Sequence, residues 1–303
     1  MTAFSLNQVK KLRLIYFPFL KVSLSFTGIY TFLHWYFIIH LRIFSVSEDM
    51  SNAWVPAILS WGAVLVLLRS KARMLALKDK LPDAIILLMT VTILVPTIFM
   101  QFYVVTATGK LTVLDNISEK SLREPTKYYL VKNYFINKKF ASFRPIVSVG
   151  GKYNRDYNMY VYCALPILKN EADTSQQICN DWYCIKYFER ISNKLSPEIK
   201  KQKFEVFIGR SLAKFDSLNV DNFVYLNRIE QIFDKNGYCQ AINNNIKFMA
   251  SQATILLPIN EPFEQRNGTK LYWFLGTFMA LNLSLLIFIF AHKFKGETTN
   301  VLE

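Results

Sequence analysis

The sequence predicts a membrane protein with four transmembrane α-helices, three N-terminal and one C-terminal, and an exported α+β domain inserted between the third and the fourth. The first observation is composition: of 303 residues, 52% are hydrophobic and only 19% are charged, against about 25% charged in a typical soluble domain. The second is a net charge of +14 from so few charges, which is typical of proteins whose charges gather in loops between membrane spans. The third is a set of four long apolar windows with one polar segment before the last.

Each predicted span is an apolar window that is nearly free of charged residues. A helix needs about 20 apolar residues to cross the bilayer core. The second window is the shortest, and Trp54 and Arg69 at its ends are expected to complete it by anchoring at the interface. The alternative interpretation of that window is a buried or re-entrant helix. The predicted spans are 18–41, 53–69, 84–105 and 271–291.

The basic residues predict the orientation of these spans, because short cytoplasmic loops carry an excess of Lys and Arg. The N-terminal segment, the 69–83 loop and the tail are basic, whereas the loop between the first two spans holds Glu48 and Asp49. We therefore expect a multi-pass protein of the inner (cytoplasmic) membrane with both termini in the cytoplasm and 106–270 outside. Five cations are expected to set this topology and to contact anionic headgroups: Arg69, Lys71, Arg73, Lys78 and Lys80.

The chain is accordingly divided into a membrane region, 1–105, an exported domain, 106–270, and a final span with a short tail, 271–303. All four cysteines fall in the exported domain, and an even number there predicts disulfides. If the two cysteines that are closest in sequence form one disulfide, the other two form a second disulfide that closes a long loop. All three possible connectivities stay open. A zinc site is the rival interpretation, although it usually brings C-x-x-C pairs. The disulfide candidates are Cys163, Cys179, Cys184 and Cys239, with Cys179–Cys184 as the close pair.

Local patterns predict the elements of the exported domain. Ser196-Pro197-Glu198 is a helix start, with Ser as N-cap and Pro at the first helical position. The stretch 223–226 is compatible with a strand or a helix. The remaining expectations are a helix at 125–135, strands at 146–149 and 159–165 joined by a hairpin loop, a turn at Asn236-Gly237, and a short apolar run at 255–258.

The distribution of reactive side chains argues against chemistry on this chain. The three histidines, His34, His40 and His292, lie outside 106–270, which excludes a Ser-His-Asp or histidine metal site within that domain. We expect no catalytic residue, no metal and no cofactor. The polar residues of the third span are expected to bond across helices: Thr90, Thr92, Thr97 and Gln101.

Several short motifs are shared with one family: Leu94-Val95-Pro96-Thr97, Gln101-Phe102-Tyr103, residues 106–112, Lys127-Tyr128-Tyr129, residues 150–154 and residues 261–268. With these motifs, most of the chain resembles the N-terminal, non-catalytic region of long bacterial rhomboid-family intramembrane serine proteases. Rhomboid proteolysis needs a Gly-x-Ser-x-Gly serine activated by a histidine on another helix. The sequence contains no Gly-x-Ser-x-Gly, and 12 residues follow the fourth span. We therefore expect the catalytic bundle to be absent, and no catalytic residue is carried over.

The resemblance implies a non-enzymatic, membrane-anchored binding or accessory protein of the cell envelope that positions substrates or partners. One alternative is a subunit of a partner-dependent (split) intramembrane serine protease. Another is an envelope sensor with the 69–83 loop as its cytoplasmic output. The expected partners are the lipid bilayer and a membrane or envelope protein, and nucleic acid is not expected despite the sequence pI of about 9.5.

Overall fold

A computed structural model describes residues 3–41, 50–77, 81–229 and 232–294. The chain divides into two compact units. The helical unit comprises the chain up to Thr108 and again from Arg266 onward. The sheet unit comprises Gly109–Gln265.

Four helices are long and apolar enough to cross a membrane, as the sequence predicted. The second is longer than its apolar window of 53–69: it runs for 23 residues, or about 34 Å at 1.5 Å per residue, so its length fits a full span. The first contains turns of π-helix at Leu12–Tyr16 and Trp35–His40. These helices are α1 (Asn7–His40), α2 (Met50–Ala72), α3 (Leu81–Ala107) and α6 (Lys270–Ala291), which follows two helices of the sheet unit.

The core of the helical unit is one cluster of aliphatic and aromatic side chains from all four helices, including Ile15, Val64, Ile93 and Leu285. Many large apolar side chains point outward instead, such as Val66, which is 81% exposed. An exterior of this kind is unfavourable in water and suits a hydrocarbon environment. The length and composition of the four helices therefore agree with a membrane protein.

Polar bonds join α1 to α3 inside this apolar unit. The Thr27 and Thr97 hydroxyls lie 2.9 Å apart, and Gln101 Nε2 donates to Thr31 Oγ1 over 2.9 Å. The prediction of bonds across helices is thus confirmed for Thr97 and Gln101. The other two threonines of α3, Thr90 and Thr92, donate to carbonyls of their own helix, Ile86 and Leu88.

The sheet unit is built on one mixed seven-stranded sheet with strand order β1-β2-β6-β7-β5-β4-β3. The pairs β1–β2 and β5–β7 are parallel, and the others are antiparallel. The strands are β1 (Leu111–Asn116), β2 (Tyr128–Asn133), β3 (Ser142–Gly150), β4 (Asp156–Pro166), β5 (Asp181–Ser192), β6 (Tyr225–Arg228) and β7 (Thr254–Ile259).

Two helices cover the two faces of this sheet. Alternate side chains of a strand point to opposite faces, and β4 shows this clearly. Met159, Val161 and Cys163 pack in one core with α4 (Pro197–Ser217), whereas Tyr162 packs in the other with α5 (Ile232–Asn243). The unit is therefore an α+β layer structure.

Most local predictions for this unit are confirmed. The predicted hairpin is β3–β4 with its loop at 151–155. Ser196 caps α4, and its side chain accepts a hydrogen bond from the Ile199 amide at 3.4 Å. The ambiguous stretch 223–226 leads into strand β6, and the apolar run 255–258 lies within β7.

Two local predictions are wrong. The stretch 125–135 is not a helix but contains β2, which is paired on both sides by β1 and β6. Tyr128, Tyr129 and Val131 are buried there, whereas Lys132 and Asn133 are exposed, so the pairing with β1 and β6 rather than a strict alternation marks the strand. Asn236-Gly237 is not a turn, because both residues lie inside α5.

The predicted disulfides are not supported, because all four cysteines are free thiols. Cys163 packs on the α4 side of the sheet, while Cys239 belongs to α5 on the other face, so the sheet separates this pair. Strand β5 is extended from Asp181 and rises about 3.3 Å per residue, which carries Cys184 away from Cys179. Burial raises the pKa of the Cys163 thiol to about 12 and that of Cys179 to about 11.

Candidate binding groove in the helical unit

The predicted headgroup contacts occupy the end of α2 and the segment after it. Arg69 and Arg73 are exposed and Lys71 is half-exposed. Lys78 and Lys80 lie outside the described residues. The segment that follows Arg73 is joined to the tail, since the Ala76 amide donates to the Lys293 carbonyl over 2.8 Å.

The histidines are not arranged with other reactive groups. His34 is buried and its ring stacks on that of Tyr30 at 6.1 Å between centroids; its Nδ1 has no hydrogen-bond partner. The Nδ1 of His292 lies 2.8 Å from the Phe288 carbonyl of its own helix. Within the described part of the chain, no group of three or more His, Cys, Asp or Glu side chains is placed to hold a metal ion.

An open groove of about 570 Å³ lies between α1, α3 and α6, and we call it the helix groove. Its walls are aromatic and aliphatic, and its polar side chains are three threonines. On α1 it follows residues 24–35, about 16 Å of helix or three turns. The lining residues are Leu24, Thr27, Gly28, Thr31, Phe32, Trp35, Met100, Val104, Thr108, Phe274 and Phe278.

Gly28 lines the helix groove on α1 without a side chain. A Cβ added to this residue would meet no atom within 4 Å. The small residue therefore leaves the α1 backbone open to close approach, as at helix–helix contacts in membranes, where Gly, Ala, Ser and Thr are enriched. Thr27 and Thr31 are small residues four positions apart, and Gly28 lies next to Thr27. This spacing is the sequence signal that could have revealed the site.

Polar atoms lie at and behind the wall of the groove. Thr31 lines the groove and accepts the bond from Gln101. The Gln101 carbonyl oxygen, Oε1, is buried and has no hydrogen-bond partner. A buried amide oxygen without a partner is unfavourable in an apolar environment.

The chemistry of the helix groove is that of a binding site. Among the described residues that line it, none carries an ionisable side chain. Proton transfer and nucleophile activation need an acid or base within hydrogen-bond reach, so these residues support recognition of an apolar ligand with few polar groups.

A partly buried polar cluster in the sheet unit serves packing. Asp234 of α5 accepts hydrogen bonds from Tyr162 at 3.1 Å and from Lys186 at 2.8 and 2.7 Å, which ties α5 to β4 and β5. Burial, with a smaller contribution from Asp234, raises the pKa of the Tyr162 hydroxyl. Because Lys186 neutralises Asp234, this cluster is a structural ion pair.

A second buried pair lies at the start of β5. Lys120 Nζ contacts Asp181 Oδ1 at 2.5 Å and Thr254 Oγ1 at 2.8 Å. Burial raises the pKa of the Asp181 carboxyl, and Lys120 opposes that effect. The cation joins a carboxylate of β5 to a hydroxyl of the parallel strand β7.

No family model, no curated protein and no solved structure matches this chain.

Proposed function

We propose that this chain is a non-enzymatic, membrane-anchored binding protein of the cell envelope that holds a hydrophobic helix of a partner protein in the helix groove. The observation that carries the proposal is Gly28, which lines an apolar groove and faces open space. A groove with a small residue on one of its helices is the arrangement that membrane helices use to pack closely.

A partner helix accounts for the lining residues better than a single acyl chain. A lipid tail carries no hydrogen-bonding group, whereas Ser, Thr and Asn side chains hydrogen-bond across membrane helices. Thr31 lines the groove, and the unpartnered Gln101 oxygen lies close behind it. A polar residue on the partner helix would bond to the Thr31 hydroxyl, at a position where an acyl chain offers no hydrogen-bonding group.

The resemblance to the non-catalytic region of rhomboid proteases supports a role in positioning. Rhomboid substrates are membrane proteins, so a groove for a hydrophobic helix is the form that such positioning would take. In this proposal the partner is either a substrate or a membrane subunit of an intramembrane protease, and this chain contributes no catalytic residue.

The proposed location is the inner membrane, with both termini in the cytoplasm and the sheet unit outside. Basic segments gather at one end of the helical unit: Lys11 Nζ donates to the Phe290 carbonyl over 3.3 Å, and the Ala76 amide donates to the Lys293 carbonyl. A basic end is expected on the cytoplasmic side. An impermeant thiol reagent added to intact cells should label Asn170→Cys and should label Ser70→Cys only after permeabilisation. The reverse pattern would invert the topology.

The binding proposal is tested by photo-crosslinking in native membranes. A photoreactive phenylalanine replaces Phe32 or Phe278 in the helix groove, and Trp61, which is exposed on α2, is the control position. We expect a crosslinked peptide from a transmembrane segment of a partner at the groove positions and not at residue 61. Crosslinks to lipid alone, or equal capture at all three positions, would contradict a helix-binding groove.

A blocking variant sharpens the result. Gly28→Leu places a side chain in the groove from a position where an added Cβ meets no atom within 4 Å, and Gly62→Leu is the matched control because residue 62 also has open space around its Cβ. Gly28→Leu should abolish the crosslink and Gly62→Leu should retain it. Proteolysis of a membrane substrate by the purified chain alone would instead overturn the non-enzymatic assignment.

A further inference from the structure

The loop at the end of the β3–β4 hairpin, residues 151–155, presents one aromatic ring between two cations; we call it the hairpin tip. Tyr153 is 76% exposed. The Lys152 ammonium lies 5.3 Å from the centroid of its ring, and the Arg155 guanidinium carbon lies 5.5 Å from it. A ring placed this way combines an apolar surface with positive charge.

The backbone of the hairpin tip is held in an unfavourable conformation. Tyr153 has φ 61° and Asn154 has φ 54°, the left-handed region that is uncommon for a bulky residue such as Tyr. Strained conformations of this kind persist when the surrounding structure over-determines them, and they cluster at ligand contacts.

Hydrogen bonds from the loop after β5 hold the tip in place. The Asn193 amide donates to the Arg155 carbonyl over 2.7 Å, and its side chain donates to the Asn154 carbonyl over 2.9 Å. Lys200 Nζ in turn donates to Asn193 Oδ1 over 3.1 Å. The exposed ring is therefore preorganised, which lowers the entropic cost of binding.

The surroundings of the hairpin tip are basic and partly apolar. The adjoining residues 149–156 and 190–194 contain four cations, Lys152, Arg155, Arg190 and Lys194, against one carboxylate, Asp156. Val149, beside the tip, is half-exposed. Exposed Tyr with aliphatic residues and cations is the composition that proteins use at a membrane–water interface.

We propose that the hairpin tip binds the phosphate headgroups of anionic phospholipids, with Tyr153 entering the interface between its two cations. The sheet unit is connected at both ends to helices of span-forming length, α3 and α6. In a membrane-inserted chain this tether would keep a lipid surface at high effective concentration. The contact is a second binding surface, separate from the helix groove, and its test is independent of a partner helix.

Hydrogen exchange of the full chain in nanodiscs tests this contact. Peptides covering 149–156 should exchange more slowly in discs of phosphatidylcholine with phosphatidylglycerol than in phosphatidylcholine alone, and added salt should remove the difference. The double variant Lys152→Glu/Arg155→Glu should weaken the contact by about 25-fold, since each cation near an anionic surface is worth about 5-fold.

The matched control is Lys201→Glu/Lys203→Glu, which makes the same charge change on the exposed side of α4 and should retain the lipid-dependent protection. Unchanged exchange in β4 and β5 shows that each variant is folded. Equal exchange of 149–156 in both lipid compositions would overturn the proposal. A second experiment adds soluble dextran sulfate to phosphatidylcholine discs. If dextran sulfate protected the tip and anionic discs did not, the ligand would be an anionic glycan and the proposal would be overturned.

Discussion

Gly237 of α5 lies directly against the ring of Tyr162 in β4. A Cβ on residue 237 would be only 2.5 Å from the ring carbon Cζ and 2.7 Å from Cδ2, and Cε2 lies nearer still. The ring of Tyr162 also makes an edge-on contact with Tyr238 at 4.9 Å between centroids. The glycine therefore lets a helix approach a fully buried tyrosine, and it does not break the helix.

Gly237→Ala should destabilise the sheet unit by a net of about 2 kcal/mol. Forcing extra volume into a packed core costs up to about 3 kcal/mol, and Ala returns about 1 kcal/mol in a helix interior. Urea unfolding of the full chain, followed by exchange of the β4 amides, measures the change.

Gly209→Ala is the matched control for this substitution, because its Cβ meets nothing within 4 Å in α4. It should leave stability unchanged or raise it by up to about 1 kcal/mol. Equal effects of the two substitutions would show that helix propensity, and not the contact with Tyr162, decides the result.

Removing one member of the Lys120–Asp181 pair should be strongly destabilising. The side chains are only 14% and 17% exposed, and a largely buried charge that loses its partner costs about 3 kcal/mol. Lys120→Met should also raise the pKa of the Asp181 carboxyl further, because burial remains and the neighbouring cation is gone. Carbonyl-stretch infrared titration of Asp181 measures this pKa.

The double variant Lys120→Met/Asp181→Leu separates pairing from packing, since replacing both charges by apolar groups is often close to neutral. It should recover most of the lost stability. Lys132→Ala breaks the exposed pair with Asp115 and should leave stability unchanged. A double variant as unstable as the singles would argue against this interpretation of the pair.

Cys163 and Cys179 should behave as buried free thiols. In the folded chain at pH 8, Cys163 and Cys179 should resist alkylation, because burial raises their pKa values to about 12 and about 11 and also blocks access. After denaturation without a reductant, all four cysteines should be alkylated, as counted by mass. Labelling that appears only after reduction would restore the disulfide interpretation.

The Thr27–Thr97 bond should stabilise the pairing of α1 with α3 by about 0.6 kcal/mol and at most about 1.7 kcal/mol, the range found for hydrogen bonds between membrane helices. A double-mutant cycle with Thr27→Val and Thr97→Val, read by detergent unfolding, isolates this coupling. Ser284→Ala is the control, because that exposed hydroxyl donates to the Ala280 carbonyl of its own helix. A coupling energy of zero would indicate that the two hydroxyls act independently.

The sequence by itself determined the features that depend on neighbouring residues. Four apolar windows predicted four helices of span-forming length, alternation with a glycine-rich loop predicted the β3–β4 hairpin, and Ser196 predicted the start of α4. Each of these signals lies within one stretch of chain: a long apolar run for a span, an alternation of side chains for a strand, and a capping residue for a helix start.

The tertiary structure alone decided what depends on contacts between distant residues. The stretch 125–135 became a strand because β1 and β6 flank it. Residue 237 of α5 has no room for a side chain because the Tyr162 ring lies against it. Cys163 stays apart from Cys239 because the sheet separates them. The helix groove exists only where α1, α3 and α6 meet, since strand pairing and packing bring together residues that no local pattern relates.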